Sequence, residues 1–423
     1  MSVVLTRPYE FVGPHRGNLW PSLIQALRIV DWYLAKKEGV VDYDLRGMHH
    51  WQQSLQRGDG ILLAPNHCRY ADPLVIGKPA RQLGTHVFAM ASWHLFNTGF
   101  FDSFAIRKMG GFSIHREASD RQSLETAISI LATAERPLIL FPEGTTNRTN
   151  DVLKPLLDGV AFIARTAARR RSKVDQGKVV MHPMALKYLC VGDAKPWAEQ
   201  QLSQMETQLG WSGKNHQGFN DRTVLQRTVA LAEAMLSLKE IEHFGHSVSG
   251  PLPNRRDALI DHLLTTGESR LALGDDKNDK MNVRDRVRAI RSEVVSRQFG
   301  PRDQSVQHNV ASFDQASLQQ EADNANLAQE LLSYPDSYLQ GDEVTDTRIV
   351  ETIQRMQETF LGKANVEIPL KVVIQCDEAI EVPAAKAPRG ETDPLMQQLD
   401  QRLRSMVNAL STEARTATQA GMA

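Results

Sequence analysis

Only three cysteines occur in 423 residues. Cys68, Cys190 and Cys376 lie far apart and lack the paired spacing of a metal-ligand set, which speaks against a disulfide framework and for a reducing compartment. Net charge is also nearly absent, with 49 Lys and Arg against 50 Asp and Glu. The total therefore gives no argument for a nucleic-acid partner, and any basic surface has to be local. No apolar run approaches the ~18 residues of a spanning helix. Met1-Ser2-Val3-Val4-Leu5-Thr6-Arg7-Pro8 lacks the charged segment and apolar core of a secretory leader. There is no internal repeat. The expectation is a cytoplasmic chain, soluble or peripheral on the inner face of a membrane, long enough for one large domain or two modest ones.

What is present centres on Ile61-Leu62-Leu63-Ala64-Pro65-Asn66-His67-Cys68-Arg69-Tyr70-Ala71-Asp72-Pro73. An apolar run of strand type ends at Pro65, a polar turn carries His67, and Asp72-Pro73 opens a helix, Asp suiting an N-cap and Pro the first helical position. A histidine and a carboxylate thus share a short strand-to-helix turn. There the acid can fix the imidazole tautomer while the other ring nitrogen takes a proton from a hydroxyl. A capping Asp beside a surface His gives the same short pattern, so the rest of the chain has to decide.

Before this turn, Trp20 to Lys37 carries Leu23, Leu27, Val30 and Leu34 at helical spacing, a core helix or one lying in a lipid interface. A polar segment from Gly47 to Gly60 follows. After the turn, strands are expected at His86–Ala91, Gly110–Arg116, Pro137–Phe141 and Val179–Ala185. The expected helices run through Leu124–Leu131 and from about Lys154 to Arg171. Strands alternating with helices predict an α/β domain with a largely parallel sheet flanked by helices. Working residues in such sheets gather at the carboxyl ends of strands, where His67, Arg116 and Glu143 fall.

The order Asn66-His67-x4-Asp72, Gly110-x5-Arg116, Phe141-Pro142-Glu143-Gly144-Thr145, then a strand with Pro183 resembles the glycerolipid acyltransferases. These are the lysophosphatidate, glycerol-3-phosphate and lysophospholipid enzymes that use acyl-CoA or acyl carrier protein as co-substrate. Each block is common by itself, but four in order are jointly specific. The resemblance covers about residues 45–190, together with a closing strand pair near Leu370–Pro383 and a helix over about 393–410. It implies an N-terminal helical arm over 1–45, a core over 46–190, a helical insertion over 191–365, closing elements over 366–412 and a flexible tail over 413–423. Within the insertion, polar loops are expected at Ser212–Phe219 and Gln298–Ser312.

The resemblance further implies that His67 is the general base and Asp72 its orienting acid. No metal or cofactor is implied. Asn66, His115, Arg116, Glu143, Gly144, Thr145 and Arg148 are the candidate acceptor-binding residues, with Arg69, Arg107 and Lys108 as further cations for a phosphate-bearing acceptor. Cys68, a thiol beside a histidine, is a rival nucleophile. Three departures from the family pattern stand out: Thr146 where Arg is frequent, Ser92-Trp93-His94 where basic residues are common, and Leu157-Asp158 where a lysine pair often precedes the glycine. They leave open an acceptor other than lysophosphatidate, including a non-phosphate aminolipid or glycolipid. A non-catalytic protein that binds lipid or acyl carrier is the non-enzyme alternative. In the insertion, Arg284, Arg288 and Arg291 share one helical face, a basic stripe suited to anionic lipid or an acidic carrier, or simply a solvated face.

Overall fold

The apolar run ending at Pro65 is buried along its whole length, as a strand covered on both faces must be. The computed structural model describes residues 8–97, 99–117, 120–174, 177–211, 221–273, 281–299, 314–385 and 392–423. Its strands are β1 (Val40–Arg46), β2 (Gly60–Pro65), β3 (Phe88–Ser92), β4 (Gly111–Ile114), β5 (Leu138–Ile139), β6 (Val179–Cys190), β7 (Leu370–Cys376) and β8 (Ile380–Glu381). They form one sheet in the order β1-β7-β6-β2-β5-β3-β4, with β8 on β6. β2 runs parallel to β5 and β6, β3 to β4 and β5, and β1 to β7; only the pairings of β6 with β7 and β8 are antiparallel.

Helices α1 (Leu19–Ala26) and α2 (Ile29–Lys37) precede β1, and α3 (Met48–Arg57) leads into β2. α4 (Asp72–Val75) and α5 (Gly77–Gln82) follow β2, α6 (Phe100–Lys108) joins β3 to β4, α7 (Arg121–Thr133) joins β4 to β5, and α8 (Gly159–Ser172) joins β5 to β6. Between β6 and β7 come α9 (Lys195–Gln208), α10 (Val224–Phe244), α11 (Leu252–Arg270), α12 (Val283–Phe299), α13 (Gln315–Leu331) and α14 (Asp346–Leu361). The last helix is α15 (Pro394–Ser411), opened by Asp393, whose side chain accepts the Leu395 N–H. Ala127, Ile130 and Leu131 of α7, Ile163 and Ala167 of α8, and Leu399 and Leu403 of α15 bury their stripes in one core with Leu62, Phe88 and Met181 of the sheet. The fold is therefore α/β, a mostly parallel sheet flanked by helices with a helical insertion.

The chain divides into two compact units. The unit formed by Phe11–Ile114, Arg121–Thr228 and Leu339–Ala423 holds the whole sheet. The other comprises the segment ending at Glu10, His115–Asp120 and Val229–Tyr338. In it Leu259 and Leu263 of α11, Val287, Ile290 and Val294 of α12, and Leu318, Ala322 and Ala325 of α13 are buried. Arg286 bridges from α12 to Asp261 and Glu268 of α11.

Several expectations are corrected. The helix expected over Trp20–Lys37 is two helices, because Arg28 takes a left-handed backbone (φ 52°) between them. The arm over 1–45 is not wholly helical: Val40 onward forms an edge strand on β7. The polar segment Gly47–Gly60 holds α3, whose Trp51 and Ser54 are buried. The insertion over 191–365 does not form one body, since α9 and α14 belong to the sheet unit. The tail over 413–423 is packed, with Met422 buried and its carbonyl accepting the Leu225 N–H. Arg291 is not on a solvated stripe but bonds Asn326, and burial chiefly lowers its pKa, to about 10. The loop expected at Ser212–Phe219, and 300–312 of the second loop, lie outside the described residues.

Candidate active site

Because β2 and β5 are parallel neighbours in register at Leu62–Leu138 and Leu63–Ile139, the turns that leave their carboxyl ends must meet. One turn carries His67, the other Glu143. Glu143 is 0 % exposed and accepts the His67 N–H at 2.7 Å through Oε1. Its Oε2 accepts from Lys154 N at 2.9 Å and Asn147 Nδ2 at 3.1 Å. Burial pushes the carboxyl up to about 7, against the pull of the backbone N–H groups of His67 and Lys154. Of the two roles open to Glu143, bonding the acceptor or tying its turn to neighbouring backbone, these hydrogen bonds serve the second, tying the two turns together. Asn147 adds a second tie, its backbone N–H donating to the His67 carbonyl. Gly144 makes the turn possible, with φ 73° and a Cβ that would meet Leu157 Cδ1 at 2.3 Å.

His67 is 8 % exposed, and its ring stacks on Phe141 with centroids 3.9 Å apart. Nδ1 lies 2.8 Å from Asp72 Oδ2. A nitrogen facing a carboxylate carries the proton, so Nε2 keeps its lone pair. Thr146 Oγ1 stands 3.0 Å from that Nε2. Asp72 is the first residue of α4 rather than its N-cap, and is 0 % exposed. Its Oδ2 also accepts the Arg69 N–H at 2.9 Å, while Oδ1 accepts the Tyr188 hydroxyl at 2.7 Å.

Tyr188 reaches this position because β6 outruns β2. Pairing with β2 ends at Pro65–Met184, yet β6 continues to Cys190. The backbone edge left open is satisfied by two asparagine amides, which offer donor and acceptor as a peptide does. Asn66 pairs with Leu186 through its Oδ1 (2.7 Å) and Nδ2 (3.1 Å). Asn150 pairs with Tyr188 through Oδ1 (3.0 Å) and Nδ2 (3.3 Å). Asn66, expected at the acceptor, is thus a substitute strand partner.

The cations are largely committed. Arg148, at φ 66°, pairs with Glu358 of α14 and lies over the Tyr70 ring at 4.6 Å. Arg69 bonds Gln354 at 2.7 Å and lies 5.2 Å over Tyr188. Glu38 shares this neighbourhood, its pKa raised by burial and lowered in part by Arg69 and Arg148. Thr145 is half-buried in the same turn. His115 and Arg116 fall in the helical unit, where His115 stacks on Tyr9 at 4.7 Å and lies 3.6 Å from Glu117. Cys68 is no rival to a hydroxyl nucleophile. Its buried sulfur is 3.8 Å from Asp72 Oδ1 and from the Leu186 carbonyl, and burial first, then the Asp72 charge, drives the thiol well up.

Tyr188, Asn147 and Asn150 escape a reading of the sequence. Nothing local marks them, since each depends on how far β6 overshoots its neighbour.

Residues 48–187 match the family model described as Acyltransferase. A comparison with curated proteins returns no match. The matched stretch runs from the start of α3 into β6, to Lys187, and contains His67, Asp72 and Glu143. Over that stretch the chain is therefore similar to the Acyltransferase family.

Proposed function

We propose that this protein moves a fatty acyl group from a thioester, acyl-CoA or acyl carrier protein, to a hydroxyl of a lysophospholipid or of glycerol-3-phosphate. One observation carries the reading: a buried imidazole whose Nδ1 is held by a carboxylate at 2.8 Å and whose Nε2 already faces a hydroxyl at 3.0 Å. That is the arrangement of a general base for an attacking alcohol. As the oxygen closes on the thioester carbonyl, its proton passes to Nε2 and Asp72 stabilises the imidazolium. The proton then goes to the departing thiolate. Base assistance supplies about 10²–10⁴-fold, and positioning in the cleft must supply the rest.

The neutralised cations favour a second reading of the acceptor. Arg148 is paired with Glu358, and a phosphomonoester dianion would have to compete with that carboxylate. A lysolipid with a zwitterionic or uncharged headgroup meets no such competition. Among the described residues no helix is long and apolar enough to cross a membrane. Leu19 (76 % exposed), Leu27 (63 %) and Trp32 (62 %) on and between α1 and α2 leave apolar side chains open, with Lys36 and Lys37 at the end of α2. This pattern supports a peripheral seat at a lipid surface.

The test is thiol release from acyl-CoA and acyl carrier protein over a panel of lysolipids, glycerol-3-phosphate and uncharged acceptors, with His67→Ala beside the parent. The reading expects a loss of at least ~10²-fold in a folded variant. Equal activity of variant and parent would overturn it and favour a binding protein on this fold.

A further inference from the structure

Helix α14 comes late in the chain and lies outside the stretch that matches the family model. Two of its side chains nevertheless hold the loop behind the catalytic acid. Arg348 and Glu351, three residues apart and so on one face of the helix, grip consecutive loop residues. Arg348 Nε donates to Asp151 Oδ2 at 2.6 Å, and Glu351 Oε2 accepts the Asn150 N–H at 3.1 Å. Asn150 and Asp151 in turn meet consecutive residues of β6: the Asn150 amide pairs with the Tyr188 backbone, and Asp151 pairs with the Lys187 ammonium. This piece of loop is therefore pinned between a helix and the edge of a strand.

A line of hydrogen bonds runs from the helix to the base. It passes from Glu351 to the Asn150 N–H, and from the Asn150 side chain to the Tyr188 backbone at 3.0 and 3.3 Å. The Tyr188 hydroxyl then donates to Asp72 Oδ1 at 2.7 Å, and Asp72 Oδ2 lies 2.8 Å from His67 Nδ1. Glu351, Asn150, Tyr188, Asp72 and His67 are all buried, so water is poorly placed to take over a lost link. Resting on the acyltransferase reading, we infer that Glu351 is a positioning residue: from outside the matched stretch it fixes Asn150 against β6 and so holds Tyr188 on the second oxygen of Asp72.

The need for such a hold follows from the sheet. Pairing of β6 with β2 stops at Met184, while β7 covers the other edge, with Val372 opposite Tyr188. On the open edge the Asn150 amide substitutes for a strand, and it is only as fixed as the backbone that carries it. Asn150 lies outside any helix or strand. Glu351 gives its N–H an acceptor on an element that is itself regular, the condition under which a supporting residue keeps a catalytic geometry tight.

The experiment is a double-mutant cycle on the full chain, read by steady-state thiol release from palmitoyl-CoA with a lysophospholipid acceptor. Glu351→Ala should lower kcat about 5-fold and leave KM within a factor of about two, and Glu351→Gln, which keeps an acceptor oxygen, should restore kcat to within about two-fold of the parent. In a Tyr188→Phe background Glu351→Ala should cost less than about two-fold, because the link it acts through is already gone. An equal loss in both backgrounds, or a loss that Glu351→Gln does not rescue, would make Glu351 merely structural and overturn the inference. Parental kcat in Glu351→Ala would overturn it as well, by showing that β7 alone places Tyr188. Should Glu351→Ala fail to fold, Glu351→Asp, shorter by a methylene, takes its place in the cycle under the same criteria. Each of these outcomes leaves the acyltransferase reading standing, whereas absence of thiol release from every donor in the parent would overturn both.

Discussion

Tyr188 Oη donates to Asp72 Oδ1 at 2.7 Å from a fully buried side chain on the part of β6 that outruns β2. The second oxygen of the acid is thus held while the first serves His67. Burial first, and the Asp72 charge next, push the Tyr188 hydroxyl well up, so it stays a donor. Tyr188→Phe removes a hydrogen bond to a buried charge, of the order of 1.5–3 kcal/mol. We predict a fall of about 10-fold in kcat with KM little changed, read from steady-state thiol release. A change confined to KM would show that Tyr188 acts on substrate rather than on the acid.

Glu143 gives a pH dependence of stability. Its folded pKa of about 7 lies above the ordinary 4.5, so the folded chain holds this proton more tightly than the unfolded one. The group's contribution is therefore full below pH ~4.5 and is lost as pH rises through about 7, by an amount on the order of 3 kcal/mol. In Glu143→Gln that dependence is gone. The Tm advantage of the parent over the variant should be widest near pH 5 and shrink toward pH 8; an advantage that grows with pH contradicts the assignment.

The Arg148–Glu358 pair makes a prediction about acceptors. Glu358→Gln releases Arg148 to bind phosphate oxygens directly. KM for a phosphomonoester acceptor should fall about 3- to 10-fold while KM for an uncharged acceptor stays the same. Equal shifts for both would place Arg148 away from the headgroup.

Apolar exposure on and between α1 and α2 predicts lipid binding. Leu27→Glu with Trp32→Glu should reduce the fraction of protein bound to anionic vesicles at least ~10-fold, from the apolar area withdrawn from the interface. Sedimentation with vesicles measures this, and unchanged binding would remove α1 and α2 from the account.

Much of this architecture is legible in the chain because it is local. The run ending at Pro65, the Asp72-Pro73 helix start and the glycine turn at Gly144 each announce themselves within a few residues, which places His67, Asp72 and Glu143 at adjacent strand ends. What escapes is set by distance. The sequence marks Val179–Ala185 as a strand but not its continuation to Cys190, which depends on β7 offering a partner. Tyr188 on Asp72 follows from that overshoot, as do the two asparagines that mimic a strand. The break at Arg28 is equally silent, since an arginine in the left-handed region is chosen by packing and not by its own preference. Edge strand β1 reads as polar because only Val40 of it is fully buried, and its pairing with β7 makes it a strand.

The central claim is that Asp72 steers His67 as the base, and Asp72→Asn tests it most directly. The amide keeps the size of the acid but removes the charge that holds the proton on Nδ1. Thiol release from acyl-CoA in the presence of a lysolipid acceptor should fall by about 10²–10⁴-fold in a variant with parental Tm. A folded Asp72→Asn protein that turns over within a factor of about three of the parent would contradict the account.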